Sequence, residues 1–509
     1  MCIRDRRELV RSWHRTLVTT PSERLPPLLR AAARNRDHHT HRLVALGKDQ
    51  TATAEMLAEF LADAPPPEVI SGTGVREDKI AFVFSGNGAQ FPGMGRDVLR
   101  TNAVFRAAVE EVDGLLRPAL GWSVTELLES GVDEQALAGA DVAQPLLFAV
   151  QVGTVRALAA IGIRGAAYFG HSVGEITAAW AAGGLSLADA GKVVVVRSHH
   201  QQQTQGAGRM VAVALTQEGA CGILSELNSS AEVAAVNATR SVTISGAIAE
   251  IRRLETELRD RDIGFRSLDL DFAFHSRAMD PFRGDLLADL GDLASCPPTA
   301  PLVSTVTGEI VKAATLDAEH WWRNVRHPVR FADAVARLVA EGHRIFLEIG
   351  PRAILQSYLV DGLRAGEVQG RVLATLSREP LGHDPFPAIA AHCHAAGYDW
   401  TSSPSFEGPS DPRGLPLYPW NRERFWFSVT TEAPDLINPA FDHPLLGFRQ
   451  PCATASWLNH LDEQVLPWIA DHAVEGVAVL PAAAILEMAL ATAQWRWSDA
   501  RATHRAPIR

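Results

Sequence analysis

The five residues Gly170-His171-Ser172-Val173-Gly174 constrain the fold more than any other stretch of this 509-residue chain. They follow an apolar run, Ala166–Phe169, and precede the helix-forming Glu175-Ile176-Thr177-Ala178-Ala179-Trp180. A strand, a sharp turn with glycines on either side of a serine, and then a helix make a nucleophile elbow. Glycine is needed where the turn leaves no room for a side chain. The helix N-terminus that follows offers free N–H groups where negative charge would develop on a substrate oxygen. G-x-S-x-G alone also occurs in plain turns, but the strand before and the helix after favour Ser172 as a nucleophile.

Ile80–Phe84 is an uninterrupted apolar run bounded by turn residues, the pattern of a buried strand. It leads into the glycine-rich loop Ser85-Gly86-Asn87-Gly88-Ala89-Gln90, and helices alternate with short strands beyond it. That alternation predicts a largely parallel sheet covered by helices. Between about 207 and 271 the pattern changes. Strands are expected at Arg209–Leu215, Glu232–Ala238, Ser241–Gly246 and Phe265–Leu270, with helices at Glu218–Leu227 and Ala249–Arg261. The order βαββαβ is the ferredoxin-like unit, here inserted into a hydrolase-like α/β body. His275 follows its last strand, where the chain would return to the main sheet. Residues 7–75 read as a small α/β linker domain, closed by a Pro- and Gly-rich boundary.

A chain of this length is expected to form two to four domains. Its net charge of −11 argues against a nucleic-acid partner. The five cysteines (2, 221, 296, 393 and 452) lie far apart, without metal spacing or a disulfide framework, which suits a reducing, cytoplasmic compartment. No apolar run is read as reaching the roughly 18 to 20 residues of a membrane span. Met1–Arg6 lacks the apolar core of a secretion signal. Ser498–Arg509 reads as charged and structureless, and the whole as a segment of something larger.

A serine hydroxyl needs a base to take its proton, and histidine suits that task near neutral pH. Among 18 histidines, His275 stands out within Asp271-Phe272-Ala273-Phe274-His275-Ser276. The ordered set formed by Phe82-Val83-Phe84-Ser85-Gly86-Asn87-Gly88-Ala89-Gln90, Gln144-Pro145, the elbow with Glu175, and Ala273-Phe274-His275-Ser276 resembles the malonyl-type acyltransferases. These occur as domains of modular type I polyketide synthases and as the malonyl-CoA:acyl carrier protein transacylase of fatty-acid synthesis. The resemblance covers roughly residues 80 to 375.

It implies that Ser172 carries the acyl ester and that His275 is the general base and then the general acid. The backbone N–H groups of Val173 and Asn87 would form the oxyanion hole, with Asn87 standing where the family usually has glutamine. Asn324 matches the position whose carbonyl orients the histidine. Arg197 would pair bidentately with the free carboxylate of malonate, since a guanidinium fork fits a carboxylate and rejects acetyl groups. Phe274 resembles malonyl-selective members, where a ring would exclude a methyl branch by overpacking. Phe272, in place of the usual histidine, leaves other extender units open. Gln90, Gln144, Asn237 and His171 either line the pocket or serve structural hydrogen bonds. Asp269 and Asp271 read as solvent-facing strand residues outside the chemistry.

The flanks carry resemblances of their own. Residues 1–75 resemble a ketosynthase-to-acyltransferase linker. Residues 376–440, with Leu415–Trp420 and Arg422–Trp426, resemble the strap that follows an acyltransferase at 76–375. His443-Pro444-Leu445-Leu446-Gly447 and the H-x-x-x-G-x-x-x-x-P spacing of His472, Gly476 and Pro481 resemble the start of a dehydratase. That implies a partial hot-dog unit over 441–509, with a helix at Ala482–Trp495 and His472 as half of a catalytic site. The substrates implied are malonyl-CoA and the phosphopantetheine thiol of an acyl carrier protein. No bound cofactor, metal or membrane is expected, and the partners would be the carrier protein and neighbouring synthase domains. Two rivals share the residues: a serine hydrolase or editing thioesterase built on the same elbow, and a non-catalytic docking segment.

Overall fold

The computed structural model describes residues 3–75, 79–420, 442–450 and 454–502. Cys2, Cys452 and the Arg422–Trp426 part of the expected strap lie outside the described residues. The chain divides into two units, Met1–Pro419 and Trp420–Arg509.

The first unit begins with an antiparallel pair, β1 (His41–Ala45) and β2 (Val69–Thr73), among helices Ile3–Thr19, Leu25–Arg34 and Gln50–Leu61. The main body is built on β3 (Ile80–Phe84), whose five residues are all buried. Such uniform burial belongs to a strand covered on both faces. β4 (Ala167–Gly170) lies parallel on one side of it, and β9 (Ile345–Ile349) followed by β10 (Arg371–Ala374) on the other, giving the order β10-β9-β3-β4. The helix Ala140–Ala160 packs here and is apolar nearly all round, because almost every face is buried. By length and composition it could cross a membrane, which corrects the reading that no run was long enough; 78% of that stretch is buried inside the body.

Within the body sits the expected insert: β5 (Arg209–Val213), β6 (Glu232–Ala238), β7 (Ser241–Gly246) and β8 (Phe265–Ser267), ordered β6-β7-β5-β8 and antiparallel throughout. Helices Gln217–Glu226 and Ile248–Asp260 cover it through Ile223, Leu224, Ile251, Leu254 and Leu258, which pack with Val211, Val242 and Ile244. β8 is shorter than the sequence suggests. His275 therefore does not sit at a strand end, and Asp269 and Asp271 are exposed loop residues rather than strand residues. The insert is bound to the body by backbone: Val236 N–H donates to the Val329 carbonyl and Val329 N–H to the Ala234 carbonyl, both 2.9 Å.

Helix Phe386–Ala396 packs against β2 through Ala391 and Ala395, and Arg42 donates to the carbonyls of His394 and Tyr398 at 2.9 Å. The later chain folds back over the first helices, with Asp411 N–H on the Pro27 carbonyl and the Tyr418 hydroxyl on Asp5. In the second unit, β11 (Phe448–Arg449) pairs with β12 (Trp457–Leu458), and β13 (Ala473–Val474) with β14 (Val477–Ala478). Its helix spans Ala482–Ala502, so Ser498–Ala502 is helical rather than structureless. Ile485, Leu486 and Leu490 on that helix are exposed.

Candidate active site

The elbow forms because two positions exclude any side chain. A Cβ on Gly170 would overlap the backbone of Gly174 and Glu175, and one on Gly174 would overlap the Phe84 carbonyl of β3. Ser172 between them is held in the left-handed region at φ 54°, which costs free energy for a residue with a Cβ. The surrounding strand and helix impose it, and it throws Oγ clear of the turn. His275 adopts φ 57° for a similar reason, in the turn that brings the chain back from the insert.

The two side chains meet. Ser172 Oγ lies 2.8 Å from His275 Nε2, and His275 Nδ1 lies 2.9 Å from the His327 carbonyl. A carbonyl can only accept, so Nδ1 carries the proton and Nε2 is left bare to accept from the serine hydroxyl. Burial, then the charge of Arg197, push the His275 pKa down to about 3. The imidazole is therefore neutral at physiological pH. The carbonyl facing it belongs to His327, not to Asn324 as expected, which is a correction of three residues along the chain.

Asn324 does different work. Its Nδ2 donates to the Ser172 carbonyl and to Glu175 Oε2, both 3.3 Å, while its Oδ1 accepts from Arg197 Nε at 3.2 Å. Arg197 is 1% exposed, and its NH2 donates to Ser172 Oγ at 2.8 Å. Its NH1 donates to Gln144 Oε1 at 2.6 Å and to Gln201 Oε1 at 2.8 Å. Burial pushes its pKa down to about 9, opposed by the charge of Glu175. Arg197 is still a cation at neutral pH.

Glu175 and Gln201 were not singled out from the sequence. Glu175 is the lone charge in the buried helix Gly174–Ala181, and that oddity could have flagged it. It accepts from Ser304 Oγ (2.7 Å), Thr305 Oγ1 (2.6 Å), Thr305 N–H (3.1 Å) and His320 Nε2 (3.1 Å). Burial alone would raise its pKa; the hydrogen bonds and charge of His320 and the hydroxyls outweigh it, and the carboxyl sits below its ordinary range.

Val173 follows the serine directly and Asn87 follows Gly86 in the glycine-rich loop, and among the described residues no acceptor meets the backbone N–H of either. Gly86 presses on His171, where a Cβ would come 2.6 Å from the His171 carbonyl, so the glycine-rich loop lies against the elbow. Gln90 accepts from Gly88 N–H at 2.7 Å and Arg352 donates to the Gly88 carbonyl, fixing that loop. His171 Nε2 bonds Asn237 of the insert at 2.9 Å, and Asn237 donates to Thr243 at 3.1 Å. Gln90, His171 and Asn237 thus spend these polar atoms on the fold. Phe274 is buried and stacks on Phe272 with ring centroids 4.6 Å apart. In the second unit, His472 is exposed, with Nδ1 2.8 Å from the Val479 carbonyl. Among the described residues no cluster of three His, Cys, Asp or Glu side chains could hold a metal ion. Cys221, Cys296 and Cys393 are free thiols.

Comparison with known proteins adds an independent line. The acyl transferase domain family matches residues 81–399, and the polyketide synthase dehydratase domain family matches 443–505. The chain is 34% identical over 504 residues to polyketide synthase GfsB of Streptomyces halstedii, covering 96% of this chain and 9% of that protein. It is 32% identical over 462 residues to mycoketide-CoA synthase of Mycobacterium tuberculosis, covering 88% and 11%. The chain thus spans about a tenth of the length of such synthases. Among solved structures, the acyltransferase domain from module 8 of the salinomycin polyketide synthase superposes with a TM-score of 0.72 at 31% identity, over 77% of this chain and 94% of that one. The acyl transferase domain of SpnD, in complex with 2-(pent-4-yn-1-yl)malonyl, gives 0.66 at 29% identity, over 78% and 94%.

Proposed function

Since this chain belongs to the acyl transferase domain family, in its polyketide synthase form and with part of a dehydratase domain beside it, we propose that it loads a malonyl extender unit from CoA onto an acyl carrier protein through an ester on Ser172. The observation that carries the reading is the position of Ser172 Oγ, 2.8 Å from a bare imidazole nitrogen and 2.8 Å from a buried guanidinium.

Ser172 Oγ attacks the thioester carbonyl while its proton passes to His275 Nε2. The oxyanion that forms is met by the N–H groups of Val173 and Asn87. Collapse breaks the C–S bond, and the His275 imidazolium returns its proton to the departing CoA sulfur. The phosphopantetheine thiol then gives its proton to His275, attacks the ester carbonyl, and leaves as the malonyl thioester while Ser172 recovers its hydrogen. His327 keeps the imidazole in the required tautomer. Arg197 faces the malonyl carboxylate, so a chain without that charge binds less well. With Ser172 only 9% exposed, water has little access to the ester.

Phe274, backed by Phe272, would stand beside the malonyl α-carbon and disfavour a branch there. Residues 1–75 and 376–440 are assigned as flanking linkers, and His472 as half of a dehydratase site. The test is intact-mass detection of acylation after incubation with malonyl-CoA, with and without carrier protein. Wild type should gain one malonyl group and pass it on; Ser172→Ala should gain none. Release as free malonate at the same rate with and without carrier would favour the hydrolase reading instead.

A further inference from the structure

The donors around Arg197 do not add up to a free fork. Its Nε is taken by Asn324, both NH1 hydrogens by the two glutamine oxygens, and one NH2 hydrogen by Ser172 Oγ. Among the described residues, a single N–H of the guanidinium is left without an acceptor. A carboxylate has two oxygens, and lone pairs buried without donors are costly. Gln201 supplies what is missing. It is fully buried, one helical turn beyond Arg197 on the same face of helix Leu187–Gln202. Its oxygen accepts from Arg197 NH1 and from Gln144 Nε2 at 2.7 Å, but its own Nε2 has no partner among the described residues.

We propose that Gln201 is a substrate-binding residue whose carboxamide N–H completes the extender-unit carboxylate site, taking one oxygen while Arg197 NH2 takes the other. The Gln144 and Gln201 oxygens then stay on NH1 during loading, and the buried cation is never stripped of its neutral acceptors. This inference rests on the carboxylate reading of Arg197 given above.

The test compares loading of malonyl-CoA with loading of acetyl-CoA, which has the same thioester and no carboxylate, by intact mass on the full chain. Gln201→Met keeps the volume but removes the donor and also the oxygen that accepts from Arg197 NH1 and Gln144 Nε2, which the second variant retains. It should lower malonyl loading about 10- to 100-fold, the scale expected for a lost hydrogen bond to a charged group, and leave acetyl loading within about twofold. Gln201→Glu keeps the size and the acceptor toward Arg197 but replaces the donor with a like charge, so its malonyl-to-acetyl ratio should fall at least as far. A ratio unchanged in either variant, or an equal fall for both thioesters, overturns the proposal. If wild type itself loads acetyl as readily as malonyl, the carboxylate reading of Arg197 has failed first, and the two failures are told apart.

Discussion

Replacing Glu175 with glutamine keeps the side chain's size and removes one charge from beneath the acyl site. The partners dictate how the amide must sit. Thr305 N–H and Asn324 Nδ2 can only donate and both face Oε2, so the amide oxygen must take that place. The amide nitrogen then faces the Ser304 hydroxyl, which can turn to accept, and His320 Nε2, which can accept in its other tautomer. The geometry survives, but the charge is lost from every contact. Hydrogen bonds to a charged group are worth about 1.5–3 kcal/mol against about 0.5–1.5 kcal/mol for neutral ones. About 1 kcal/mol is lost at each of the two obligate donors, and Arg197 loses its buried counter-charge, so Glu175→Gln should destabilise the unit by about 2–4 kcal/mol. Urea denaturation at pH 7 measures this. The sign with pH follows from the lowered pKa: the contribution is fully present above the ordinary carboxylate pKa and is lost as pH falls through the folded value. The gap between wild type and variant should therefore begin to narrow below the ordinary carboxylate pKa of about 4.3 and go on closing at lower pH. A second readout is independent of stability. Without the negative charge that supports it, Arg197 should deprotonate below its present value of about 9, so malonyl loading should decline at lower pH than in wild type. A variant within about 0.5 kcal/mol of wild type and with an unmoved alkaline limb would refute this account of Glu175.

The acid limb of acylation should report His275. With its pKa near 3, the rate should hold its plateau well below the pH 6.5 of an ordinary imidazole, and a limb near 6.5 in a pH–rate profile would contradict the burial argument. Phe274→Ser breaks the ring stack and should shift the methylmalonyl-to-malonyl loading ratio upward by about 10- to 200-fold in a two-thioester competition. No shift would remove Phe274 as a determinant of chain branching. Gly174→Ala sets a methyl against the Phe84 carbonyl, which cannot retreat without opening the sheet. It should cost about 1–3 kcal/mol or more and abolish acylation, read by denaturation and intact mass.

What the sequence made legible was local. Gly170 and Gly174 mark the elbow because tight backbone approach leaves a direct trace in residue type, and the insert shows in the order of its short strand and helix segments. The site's supporting contacts left fainter marks. The carbonyl that holds His275 comes from His327, and a backbone contact imposes no choice of side chain, so Asn324 was named in its place. Asn324 is nonetheless in the site, bridging Ser172, Glu175 and Arg197. Glu175 stands where an acid is favoured in the first turn of any helix, so its oddity shows only against the otherwise uncharged helix around it. Its burial is set by the segment around Ser304 and Thr305, some 130 residues later. Gln201 has no sequence signature at all; its significance lies in an unanswered donor.

The two backbone bonds joining Val329 to the insert lie two residues past the carbonyl that orients His275. Arg326 strengthens the same seam by its ion pair with Glu232 at 2.8 Å. The insert therefore cannot be treated as a detachable cassette when synthases are recombined. A chimaera cut only at its two chain crossings would mate foreign strand edges to a native strip that also holds the His275 ring. Carrying residues 326–330 along with the graft keeps that strip and its β-edge matched.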